Sequence, residues 1–139
     1  MLDESRGIMR MDGPDTSARK YRSQGINILR SFTMSVYESY QVQFPQQKMT
    51  QDELLWVMET QKSINKYVAN ILQLSRTEII NGIQNQDFVR WQEKVIGDRM
   101  RVIPKASMQV FNLLFQKLVE AFSLHNQVLM DEWVLEDQN

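Results

Sequence analysis

Apolar side chains recur along this chain at spacings of three and four, the period of a helix with one buried face. The first such row is Ile28, Leu29, Phe32, Val36 and Tyr40, with Tyr21 extending it toward the N-terminus. Thr16 or Ser17 can cap its free N–H groups, Gly25 interrupts it, and Pro45 predicts its end near Phe44. The second row opens at "MTQDELL", where Thr50 and Glu53 have the spacing of a capping box and Met49 and Leu54 that of a hydrophobic staple. It continues through Met58, Gln61, Ile64, Val68, Ile71 and Leu72, and the apolar content runs on through Ile79, Ile80 and Ile83. Asn81 and Gly82 are its expected terminators, which makes a helix of about 30 residues, roughly 45 Å long. A third row starts at Asn85 or Asp87 and places Phe88, Trp91, Val95 and Val102 on one face. Pro104 is expected to break it, because the ring removes a hydrogen bond and meets the carbonyl of Met100.

The fourth helix is expected from about Lys105 to Leu135. At about 100° per residue, Phe115, Leu118, Phe122, Leu129 and Trp133 fall within about 40° of Phe111. Val110, Leu114, Ala121 and Val128 widen that face on one side and Val119 on the other, to an arc of about 180° where a surface helix typically shows about 100°. Leu113 and Leu124 fall outside even this arc. They stack on one line beside Val110 and Val128, and the reading is a ridge for a second subunit or an obligate partner. His125, the single histidine, lies about 40° from the centre of the arc and reads as a packed histidine donating one hydrogen bond.

These rows predict an all-α fold, an antiparallel helical bundle of about four helices, three long and one short. Residues 1–17, broken by Gly7, Gly13 and Pro14, read as an irregular, flexible arm, and residues 18–136 as a single bundle domain. A chain of 139 residues is long enough to bury a core without staples. With 16 basic and 17 acidic residues the formal charge is −1, so no bulk field draws it to nucleic acid, which is not expected as a partner. The absence of cysteine excludes disulfides, thiolate metal sites and cysteine nucleophiles, and fits a cytoplasmic protein. No window approaches the roughly 20 apolar residues of a membrane-spanning helix, and the first fifteen residues show no secretory signal.

Candidate chemistry is sparse. One histidine cannot build a di-iron bundle site, which needs two Glu-x-x-His motifs, nor the usual zinc sites. No glycine-rich phosphate loop is present, and "SARK" (Ser17–Lys20) reads as a helix start. No catalytic residue, metal or cofactor is therefore expected. Arg90, Lys94, Arg101 and Lys105 follow spacings of three, four or seven and form a candidate basic stripe for phosphate or an acidic partner. Glu93 and Asp98 interrupt it, which favours a solvated helix face. The expectation is a non-enzymatic helical interaction protein (an assembly subunit, adaptor or secretion-type chaperone) with a protein partner, as a homo-oligomer or a hetero-complex. Two alternatives stand beside it. The basic stripe implies binding of nucleic acid or an acidic partner. The segment "NQDFVRWQEKVIGDRM", with its acid–aromatic–aliphatic step at Asp87, Phe88 and Val89 before Gln92, resembles phasins, helical proteins that coat polyester granules. That resemblance implies an amphipathic coat on an apolar granule or membrane surface.

Overall fold

The structure, a computed structural model, describes residues 25–101 and 105–138, with side chains up to residue 131. The expected arm (1–17), Tyr21, Val102, Pro104 and the side chain of Trp133 lie outside the described residues. All regular structure among the described residues is helical: α1 (25–30), α2 (Phe32–Gln43), α3 (Gln51–Leu72), α4 (Arg76–Gln84), α5 (Asp87–Arg101) and α6 (Met108–Gln138). The expected count of about four is corrected to six, because two of the expected rows are each divided by a break.

The first break falls at Ser31, between α1 and α2, and its cause is a side chain from another helix. The amide N–H and the hydroxyl of Thr33 both donate to Oε1 of Gln61 on α3, at 2.9 and 2.8 Å. The carbonyl of Leu29, the usual i−4 partner of Thr33, accepts instead from Nε2 of Gln61 at 3.1 Å. The Gln61 carboxamide is thus spliced into the ladder of the first row, which interrupts the helix without leaving a backbone group unpaired. The Ser31 hydroxyl donates to the Asn27 carbonyl, a back-bond that also bends helices.

The second break falls at Gln73–Ser75, where the expected 30-residue helix ends after Leu72. Ser75 and Glu78 form a capping box with both reciprocal hydrogen bonds present, and α4 starts there. Asn81 and Gly82 do not terminate anything: Gly82 is buried in α4, where a Cβ would stand 2.7 Å from the Phe88 ring. The chain turns later, with Asn85 as the cap of α4 and Gln86 in the left-handed region at φ 60°. A residue with a Cβ pays about 1–2 kcal/mol there. α5 begins at Asp87, as the third row predicts. Residues 105–107 are non-helical, so the third and fourth rows are separate helices.

The core is made of one contiguous cluster. α2 lies against α3 and α6, α5 lies against the same two, and α4 packs on α5 and α6. Leu29, Phe32, Val36 and Tyr40 are buried as expected, together with Ile26, while Ile28 is only half-buried. In α3 the row is rotated. Trp56, Val57 and Thr60 face inward, and Leu54, Leu55 and Met58 face solvent; further along Ile64, Val68 and Ile71 are buried as predicted and Leu72 is exposed. The reason is polar anchoring of the first turns. The Trp56 indole N–H donates to the carbonyl of Arg99 at 3.1 Å, satisfying a carbonyl near the end of α5, and Nε of Arg99 donates to the Thr60 hydroxyl at 3.3 Å.

The start of α3 is also the start of α6. Thr50 and Glu53 form the expected capping box: the Thr50 N–H donates to Glu53 Oε1 at 2.8 Å and the Glu53 N–H to the Thr50 hydroxyl at 3.2 Å. The second carboxylate oxygen, Oε2, accepts the N–H of Ser107 at 2.8 Å, and Ser107 in turn accepts the N–H of Val110. One buried carboxylate therefore holds two helix N-termini, where a negative charge is favourable. Burial raises the Glu53 carboxyl, but hydrogen bonds from Ser107 and Thr50 outweigh it and hold its pKa below the ordinary value. Trp56 and Phe111 stack beside this joint with centroids 6.0 Å apart. Removing the hydroxyl alone in Thr50→Ala should lower stability by about 1 kcal/mol. Glu53→Ala should cost more, about 2 kcal/mol, because it removes the charge-assisted bonds to both Thr50 and Ser107. Urea denaturation of both variants checks the order, and equal losses would show that the Ser107 bond contributes nothing.

Candidate functional site

A polar network crosses the core where α3, α5 and α6 meet. His125, on the inward face of α6, is fully buried. Its Nε2 lies 3.0 Å from the Tyr67 hydroxyl of α3. The same hydroxyl accepts from Nε2 of Gln92 on α5 at 2.7 Å. Gln92 also exchanges two amide hydrogen bonds with Asn126 of α6, at 2.7 and 2.9 Å. Since the Tyr67 oxygen already accepts from Gln92, the pairing that satisfies both groups has Tyr67 donating to His125. The imidazole then carries its proton on Nδ1.

That nitrogen faces the backbone of Gly25 in α1, where a Cβ would stand 3.1 Å from it, and it has no hydrogen bond of good geometry. Gly25 is therefore a point of close approach between α1 and α6, which explains a glycine inside the first row. Burial pushes His125 down to about 4, opposed in part by the Gly25 backbone, and burial likewise raises the Tyr67 phenol above its ordinary range. Both groups are neutral at pH 7. A neutral, enclosed imidazole with its ring edge-on to Tyr67 offers no path to a substrate, and the geometry is that of a structural histidine.

The candidate ridge of α6 is corrected. Leu113 is 3% exposed and Val110 is fully buried, Val128 is half-buried, and only Leu124 stands out at 44%. The buried face of α6 centres roughly 60° away from Phe111 toward the Val110 side. That rotation takes Leu113 into the core and turns Phe115 and Val119 out to solvent, 47% and 41% exposed. Its cause is His125, which lies on the Val110 side of Phe111 and must reach Tyr67, whereas Asn126 lies on the other side, between Phe115 and Val119, and meets Gln92 there.

The basic stripe is largely engaged within its own helix. Arg90 pairs with Asp87 and donates to the Asn85 carbonyl, and Lys94 and Arg101 both reach Asp98, at 3.7 and 3.4 Å. Lys105 is exposed after the end of α5. Lys94 also borders a cleft of about 700 Å³ between α3 and α5, closed by the start of α4, with Lys66, Tyr67 and Trp91 in its lining. Glu78 and Asp98 balance its two lysines, so the cleft has no net formal charge to select an ion. No cluster of three or more metal-ligating side chains occurs among the described residues. None of their helices is long and apolar enough to cross a membrane.

The network and the second capping box are what sequence reasoning passed over. "SRTE" carries the same spacing as the Thr50 box and is a usable signal for a helix start inside the apolar run. Nothing local marks Gln92 or Asn126 as partners, because their pairing depends on the packing of α5 against α6.

The buried histidine makes stability depend on pH. Its folded pKa is depressed, so the unfolded chain takes up a proton near pH 6.5 that the folded chain refuses until about 4. Stability should be constant in this respect above about pH 6.5 and fall by up to about 3 kcal/mol as pH drops to about 4. Glu53, also depressed, loses its contribution as pH falls below the ordinary carboxyl value of 4.5. Urea unfolding of wild type and His125→Gln across this range checks the sign, since the difference between the two should be flat above pH 6.5 and shrink or reverse below it. Parallel curves throughout would show that folding leaves the His125 pKa unchanged.

No family model, curated protein or solved structure matches this chain, and the likeness of Asn85–Met100 to phasins gains no support from those comparisons.

Proposed function

We propose that this protein is a non-enzymatic helical interaction protein, an assembly subunit, adaptor or secretion-type chaperone that binds a protein partner through helix–helix contacts. The observation that carries the reading is the division between its polar and apolar groups. Polar side chains that could do chemistry, among them His125, Tyr67, Gln92 and Glu53, are buried and committed to joining helices. Large apolar side chains stand in solvent on α2, α3, α5 and α6, among them Leu54, Leu55 and Met58 on α3 and Phe115 and Val119 on α6. Grouped apolar side chains at a surface mark contact sites. The arrangement of α2, α3, α5 and α6, each touching two of the others, supports a four-helix bundle with α4 appended. Cytoplasmic residence belongs to the same proposal and is supported by the absence of cysteine. The internal pairing of Arg90, Lys94 and Arg101 weighs against the stripe as a binder of nucleic acid or an acidic partner.

A photo-crosslinking amino acid introduced in cells at position 55, at position 115 and at the exposed polar position 127 tests the proposal. Discrete protein adducts are expected from 55 or 115 and none from 127. Adducts to lipid or nucleic acid alone, or none at either apolar position, would overturn it.

A further inference from the structure

We infer that the N-terminal half of α6 is a surface on which two copies of this chain pair. This deepens the interaction reading and rests on it. Met108, Asn112, Phe115, Val119, Phe122, Asn126 and Leu129 alternate at spacings of four and three, the seam of a helix that packs along another helix. The chain covers only the second half of that seam. Phe122 and Leu129 are buried, and Asn126 is paired with Gln92. In the first half Met108 is 69% exposed, and Phe115 and Val119 are exposed beside it. The seam runs on where its cover among the described residues stops.

Charge decides the occupant. No charged residue occurs from Ala106 to Gln116, and the first two beyond, Lys117 and Glu120, pair with each other at 3.1 Å. A two-fold contact brings the same patch of both copies together, so a face of one sign would repel itself. An uncharged face does not, and it gives a charged partner nothing to recognise. Asn112, the polar member of the exposed half, is an amide that both donates and accepts, so it can pair with its own copy. Asn126, in the equivalent seam position further along, already makes a reciprocal amide pair with Gln92. Three helical turns make a small contact beside the roughly 800 Å² per partner of a standard interface, so a weak association is expected.

Sedimentation of the full chain from low micromolar to several hundred micromolar tests this. The average mass should rise from 16.5 kDa toward twice that value. Phe115→Glu with Val119→Glu should weaken pairing at least tenfold with helicity retained, and Leu55→Glu with Met58→Glu on α3 should leave it unchanged. Asn112→Asp sets carboxylate against carboxylate only if the seam meets its own copy, and should weaken pairing in low salt more than in high salt. Should the double glutamate variant lose helicity, Phe115→Ser with Val119→Thr takes its place. A monomer at every concentration, or a dimer indifferent to positions 112, 115 and 119, overturns the inference. Protein adducts from position 115 in cells would then still uphold an interaction role with a different partner.

Discussion

The Tyr67 hydroxyl is the point on which the arrangement of three helices depends. It accepts from Gln92 of α5 and stands 3.0 Å from His125 of α6, while its ring packs edge-on against Phe122 with centroids 5.3 Å apart. Each of these polar groups is costly to bury alone, and each is acceptable only because the others are in place. Hydrophobic burial would tolerate several rotations of α6 about its axis. The hydrogen bond between His125 and Tyr67 selects the rotation that turns the Val110 side of α6 inward. Leu113 is buried and Phe115 exposed as a result of that choice, so the surface of the protein follows from a polar constraint in its interior.

A second joint fixes the other end of the same helix. Glu53 links the first turns of α3 and α6, and the Trp56–Phe111 stack lies next to it. α3 and α6 are thus tied by side chains at two levels, although their backbones are not close neighbours.

Periodicity made the existence of the helices legible, and their faces only in part. The Thr50 box and the limit set by Pro45 were readable because both act within a few residues, and the structure has them where they were expected. The row of α2 was readable because its polar contact, Thr33 to Gln61, leaves the face set by the apolar spacing, with Phe32, Val36 and Tyr40 buried, where that spacing puts it. The rotated faces of α3 and α6 were not, because Trp56–Arg99 and His125–Tyr67 are long-range polar contacts with no local signature. His125 itself was legible as a packed residue from its place in an apolar arc. The candidate ridge failed for the same reason that the faces rotated: an angle computed from apolar content alone ignores the polar residue that fixes the helix about its axis. The break at Ser75 was a matter of weighing, since an intact capping box should count for more than continued apolar content.

Gln61 carries a consequence for how the chain folds. Its carboxamide occupies the place of a backbone hydrogen bond between Leu29 and Thr33. Secondary structure at that point is completed by a group from a distant part of the sequence, so helix formation and docking cannot be separate events there. The amide proton of Thr33 is shielded from solvent exchange by the approach of α3 and not by its own helix. It is a native reporter of whether the first two helices and the third have come together.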